Sequence, residues 1–216
     1  MAQDIVGELP GAATSQSGKK KRRVSKDVVR RKFLQKLPKG GVAVEIGVWQ
    51  GDFSPEILEY IAPEKLVLID PWAHIADDSH SEAFVGRTGT DKMDRIFEKV
   101  VARFKPQIDK GQVALIRDFS VPALQKFDNG TISFAYVDGD HSYEGVSADL
   151  AALFPKMKAG GIMAFDDYHR RGWWGDGVIR AINEFLGQYP RQLRIRAIVG
   201  AQIAIEVLAH DQGEEG

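Results

Sequence analysis

Short apolar runs alternate with amphipathic stretches from Val42 to Phe165, and two of those runs close on acids. One leads into Phe134-Ala-Tyr-Val-Asp138-Gly-Asp140-His141, the other into Ile162-Met-Ala-Phe-Asp166-Asp167-Tyr168-His169. An amphipathic helix pattern lies between them, which is the layout of a βαβ unit. The parallel strands of such a unit release their last residues at one edge of the sheet, where open α/β sheets bind ligands. Asp138, Asp166 and Asp167 are therefore expected to converge. Carboxylates so placed repel one another unless a cation sits among them, so the pattern points to a metal site.

The periodicity extends this reading over the whole chain. Val28, Val29, Phe33, Leu34 and Leu37 recur at helical spacing within Ser25–Leu37, with Ser25 placed to cap the helix. Strands are expected at Val42–Ile46, Leu66–Ile69, Val113–Ile116, Ile132–Val137 and Gly161–Phe165. Helices are expected at Ser54–Tyr60, Lys92–Phe104, Val121–Phe127, Val146–Met157 and Gly177–Leu186, with Pro55 where a first-turn proline belongs. Leu193–Val199 and Ala201–Val207 then follow, and Gly200 between them suggests a tight antiparallel hairpin. Residues 72–90 lack periodicity and are expected to form part of a substrate lid. His74, Asp77, Asp78 and His80 lie there with irregular spacing, which suits a solvated lid better than a second metal site.

Charge divides the chain into an arm and a body. Residues 19–32 hold nine Lys or Arg against Asp27 alone, a net +8, which leaves −9 for the remainder of a chain whose formal charge is −1. The expected organisation is a disordered basic arm at 1–24, one domain at 25–210 and a disordered tail at 211–216. An acidic body argues against nucleic acid as a partner, because phosphate attraction needs a basic surface. The absence of cysteine excludes disulfides, thiolate metal sites and a Cys nucleophile. No apolar run approaches a membrane span, so a cytoplasmic protein without a membrane partner is the default expectation.

Five βα units and a terminal antiparallel hairpin resemble the seven-stranded class I S-adenosylmethionine (SAM) methyltransferase fold, over about residues 40–208. The implied architecture is α/β, a Rossmann-like doubly wound sheet, mostly parallel with the hairpin at its C-terminus. Val44-Glu45-Ile46-Gly47-Val48-Trp49-Gln50-Gly51 is similar to that family's first motif, E-x-G-x-x-x-G. Glu45 is negative where SAM carries an ammonium and a sulfonium. Gly47 and Gly51 let the turn tighten and the cofactor approach. Asp70 ends the second strand, where a carboxylate accepts both ribose hydroxyls, and Trp72 could wall the site or belong to the core. Asp118, Phe119 and Ser120 end the third strand, where the family meets the adenine; a plain loop with Ser120 capping the next helix explains them nearly as well. Asp138, at the fourth strand end, faces the transferable methyl group in this fold.

Asp138 followed by His141, and Asp166-Asp167 after the next Gly-Gly strand, resemble metal-dependent O-methyltransferases. Catechol and caffeoyl-coenzyme A enzymes have a lysine where this chain has His141, whereas macrolide-sugar enzymes have a histidine. The resemblance implies Asp138, Asp166 and Asp167 as metal ligands and His141 as general base. The sugar enzymes carry a glutamate at the position of Asp166, one carbon longer. All-oxygen ligands favour Mg²⁺, with Mn²⁺ or Ca²⁺ as substitutes. The implied substrate is a small molecule with neighbouring hydroxyls, a sugar or a catechol. Asp140 is expected in a supporting role, and Tyr168 and His169 line either the pocket or the core edge. Arg170, Arg171, Trp173 and Trp174 follow in a Gly-flanked loop, where the tryptophan faces suit a sugar or flat aromatic ring and core packing or an oligomer interface explains them equally well.

Other readings remain at this level. One keeps SAM without the metal; another is a non-catalytic SAM-fold binding module. An NAD enzyme is disfavoured by the missing G-x-G-x-x-G fingerprint and by the terminal hairpin. Lid-forming arms in such enzymes often cross between subunits, which allows a homo-oligomer.

Overall fold

The computed structural model describes residues 26–73, 89–170 and 172–209. The expected basic arm, the tail, Arg171 and the cluster of His74, Asp77, Asp78 and His80 lie outside the described residues, as does most of the expected lid. Seven strands form one sheet: β1 Val42–Ile46, β2 Lys65–Asp70, β3 Val113–Arg117, β4 Ile132–Val137, β5 Met157–Phe165, β6 Leu193–Val199 and β7 Gln202–Val207. Their order is β3-β2-β1-β4-β5-β7-β6. The first five are parallel, β7 is antiparallel to β5, and β6 is antiparallel to β7. This is the expected doubly wound sheet with its terminal hairpin.

Among the described residues, six α-helices cover the sheet: α1 Lys26–Leu34, α2 Ser54–Tyr60, α3 Thr90–Asp109, α4 Ser120–Leu124, α5 Tyr143–Leu153 and α6 Gly177–Gln188. Strand periodicity sends alternate residues to opposite faces. On β4, Ala135 and Val137 pack with Leu150 of α5 and Ile182 of α6. Phe134 and Tyr136 face the other layer, with Phe33 and Leu34 of α1, Ile57 of α2 and Val100 of α3. Phe33 and Leu34 are fully buried, and removing each from water stabilises the docked α1 by about 1.5–3 kcal/mol.

Element ends differ from the periodicity in explicable ways. The helix expected to run to Met157 stops at Leu153, and a 3₁₀ turn at Phe154–Lys156 carries Pro155 into β5. Strand β5 begins at Met157 rather than Gly161, since ladder pairing from Ile132 to Met157 extends it past the glycines. Helix α3 runs on past Phe104 through Pro106 to Asp109.

Backbone hydrogen bonds just beyond the ladders hold the strand ends together. Asp138 donates its amide to Ile46 (2.8 Å), Asp166 to Val137 (3.1 Å) and Gly47 to Ile69 (3.0 Å). The sequence order reverses between β1 and β4, so the ends of β1, β4 and β5 share the edge where such sheets open a crevice.

Candidate active site

Gly47 fixes the distance between the first and fourth strand ends. Its φ is +85°, and a Cβ there would lie 2.2 Å from the Asp138 carbonyl oxygen. Only glycine allows this turn to rest on the Asp138–Gly139 backbone. Glu45, one residue pair earlier, is buried, and its Oε2 has no hydrogen-bond partner. Burial raises its pKa to about 8, opposed by the Ser54 hydroxyl beside it. An orphaned acid at this edge suits a cationic ligand group. Gly51 also has positive φ, with Phe104 close behind it.

Asp70 accepts amide hydrogen bonds from Trp49 (2.9 Å, Oδ2) and Trp72 (2.7 Å, Oδ1). A carboxylate has about four lone-pair positions, so capacity remains for a ribose. Burial raises its pKa, against the amide hydrogen bonds that lower it. Trp72 is completely buried, donates Nε1–H to the Trp49 carbonyl (2.8 Å) and packs on Phe97. It belongs to the core alternative. Asp118 accepts from the Phe119 amide (2.9 Å) and Lys126 (3.1 Å), and the Phe119 ring is exposed. The Ser120 hydroxyl donates to Asp149, a buried acid on α5.

The acids after β4 and β5 meet, but in two groups. Asp138, His141 and Asp167 each offer a donor atom, and these atoms lie within 4.8 Å of one another. His141 Nε2, a buried atom, is 3.4 Å from both Asp138 Oδ1 and Asp167 Oδ2. Two half-buried carboxylates that converge beside the His141 imidazole nitrogen fit a divalent cation. Asp166 turns the other way. Its Oδ1 accepts from Gln202 Nε2 at 2.8 Å, and its Oδ2 pairs with Arg30 of α1. Arg30 Nη2 also reaches Asp138 Oδ2 at 2.9 Å. Asp167 adopts φ +53°, a conformation aspartate tolerates, and the chain bends there between the two carboxylates.

Surrounding groups hold His141 in place. Its ring stacks on Trp174 at 4.7 Å and 30°. Gly177 brings the start of α6 against the loop, where a Cβ would lie 2.9 Å from the His141 carbonyl. Asp140 accepts from the Ser142 amide (2.9 Å) and hydroxyl (3.0 Å), and Ser142 caps α5 through the Gly145 amide. Asp140 therefore shapes the loop that carries His141. Burial alone would depress the His141 pKa; the hydrogen bonds and charges of Asp138 and Asp167 outweigh it and raise it to about 9. His169 joins the group, 3.2 Å from Asp167 Oδ1. Tyr168 instead donates its hydroxyl to Asn183 (2.8 Å).

Arg30 and Gln202 are the members that sequence reasoning missed. Arg30 lies three, four and seven residues before Phe33, Leu34 and Leu37, on the same helical stripe. A lone arginine on a buried face was the available signal. Gln202, also buried, offered a weaker one at the start of an apolar strand.

Residues 44–168 match the family described as "Methyltransferase domain". An uncharacterized protein of Acanthamoeba polyphaga mimivirus is 34% identical over 65 residues; the match spans 30% of this chain and only 28% of that protein. Among solved structures, the O-methyltransferase NovP superposes with a TM-score of 0.58 at 19% identity, covering 84% of this chain and 81% of that one. CalS11, the TDP-rhamnose 3'-O-methyltransferase of calicheamicin biosynthesis, gives 0.52 at 22% identity, with 83% and 78% covered. A candidate methyltransferase of Streptococcus mutans in complex with SAH gives 0.56 at 14% identity, with 86% and 99% covered. At these identities the shared property is the fold. The family match takes in the first glycine turn, Asp138, His141 and the Asp166-Asp167 pair, more than half the chain, and places this protein among the SAM-dependent methyltransferases.

Proposed function

We propose that the chain is an O-methyltransferase that moves the SAM methyl group to one of two neighbouring hydroxyls on a small molecule, a sugar or a catechol, with the help of a divalent cation. One observation carries this reading: His141 Nε2 stands 3.4 Å from both Asp138 and Asp167 at the chemistry edge of a methyltransferase sheet. The activities of NovP and CalS11, O-methylation in both and a sugar in one, support it.

The residues have distinct tasks. Glu45, Gly47, Gly51 and Asp70 line the edge that would take SAM, which supplies the methyl group. Asp138, Asp167 and the nearby Asp166 supply the negative field in which Mg²⁺ or Mn²⁺ would sit. When bound, such a cation lowers the pKa of a coordinated hydroxyl and replaces the positive charge that the acids otherwise draw from a protonated His141. His141 then accepts the substrate proton at Nε2. Trp174 fixes the imidazole plane and keeps water from one ring face.

Arg30 favours a second reading. Its guanidinium already neutralises part of the acid group, so methyl transfer could proceed without a metal. Methyl transfer from radiolabelled SAM to TDP-sugars and catechols, before and after EDTA treatment, separates the two. Activity lost to EDTA and restored by Mg²⁺ is expected; activity undiminished after complete metal removal eliminates the metal-dependent reading.

A further inference from the structure

We infer that Arg30 is a positioning residue that takes Asp166 out of the metal's ligand set and leaves the cation to Asp138 and Asp167, beside the base His141. This rests on the metal-dependent reading above. It departs from the arrangement that spacing suggests, in which all three aspartates are ligands.

The contacts divide the acids cleanly. Both Asp166 oxygens are engaged, one by Gln202 and one by Arg30. Asp138 is shared: Oδ2 accepts from Arg30, while Oδ1 faces His141. Asp167 contacts His141 and His169. The three donor atoms that converge therefore exclude Asp166.

Charge supports the same division. Three carboxylates meet at this edge, and a guanidinium cannot release its proton. With Arg30 in place two negative charges remain, the number a divalent ion balances. Arg30 is also firmly held. Its guanidinium lies 4.9 Å over the Phe53 ring and 6.0 Å from that of Tyr136. Next to it, Arg31 chelates Glu56 of α2 at 2.9 and 3.0 Å, and Phe33 and Leu34 are buried below. Moving Arg30 means undocking α1.

The test measures Mn²⁺ binding to the full chain by calorimetry and by the paramagnetic resonance of free Mn²⁺, with thermal unfolding as the check on folding. The paired variant Arg30→Met with Asp166→Asn removes one charge of each sign and should bind Mn²⁺ within about threefold of wild type, the effect of the one hydrogen bond that Asp138 loses. Arg30→Met alone releases Asp166 toward the ion and should tighten binding about tenfold, roughly 1.4 kcal/mol. Arg30→Lys, which keeps the charge, should restore the wild-type value. If wild type binds Mn²⁺ and the folded paired variant loses more than about tenfold, Asp166 is a ligand and the inference fails while the metal reading stands. If wild type binds no Mn²⁺, the metal reading itself fails.

Discussion

Arg30 and Asp138 stand 108 residues apart in the chain and 2.9 Å apart in the fold. The first helix thus reaches into the chemistry edge of the sheet, and the buried Asp166 depends on it for a counter-charge. Arg30→Ala leaves that carboxylate uncompensated in a buried place. The expected loss is about 3 kcal/mol of folding stability, read from urea unfolding midpoints. A loss below about 0.5 kcal/mol, typical of exposed ion pairs, would show that the pair is not buried in solution.

His141 should separate binding from chemistry. His141→Ala is expected to lower kcat by about 10²–10⁴-fold, the usual range for a lost general base. SAM affinity by calorimetry should stay near wild type. Retained turnover would remove His141 from the base role.

Gly47→Ala tests the contact between the first turn and Asp138. The alanine must hold φ +85° and place its Cβ 2.2 Å from a carbonyl oxygen. Backbone strain of this kind costs about 1–3 kcal/mol, and the clash adds to it. Lower thermal stability and weaker SAM binding should appear together. Wild-type values for both would contradict the close approach.

Asp149 predicts a pH dependence of stability. Burial raises its pKa from 3.8 to about 7, partly offset by the Ser120 hydroxyl and reinforced by Asp140. The folded chain therefore holds a proton there that the unfolded chain has released between those pH values. Its contribution to stability falls as pH rises from about 4 to 7 and then levels off. Asp149→Asn cannot ionise. The difference in urea midpoint between variant and wild type should move in the variant's favour across this window; a difference constant with pH would refute the buried acid.

Sequence periodicity disclosed most of the fold because both faces of the sheet are covered. Runs such as Leu66–Ile69 must then be apolar throughout, and each ends where solvent and ligand begin. The acids at Asp138, Asp166 and Asp167 were visible for the same reason. Their directions were not. Whether Asp166 joins Asp167 depends on the left-handed turn at Asp167 and on Arg30 and Gln202, which come from distant parts of the chain. Trp72 and Asp118 show the same limit. Nothing local distinguishes a tryptophan walling a pocket from one bonded to the Trp49 carbonyl, or an adenine contact from an acid held by Lys126.

The reversed course of β7 decides which end of the last strand meets the chemistry. A sixth parallel strand in its place would bring its final residues to this edge. Running the other way, β7 presents its first residue, and Gln202 comes to lie behind Asp166. Its register is set by the short turn at Gly200 and Ala201, and the Ala201 carbonyl also accepts from the Tyr168 amide. One residue inserted in that turn would shift the strand by a single step and exchange its two faces. Gln202 would leave Asp166, and an apolar neighbour would take its place. The length of a surface turn thus governs the polarity of the site floor.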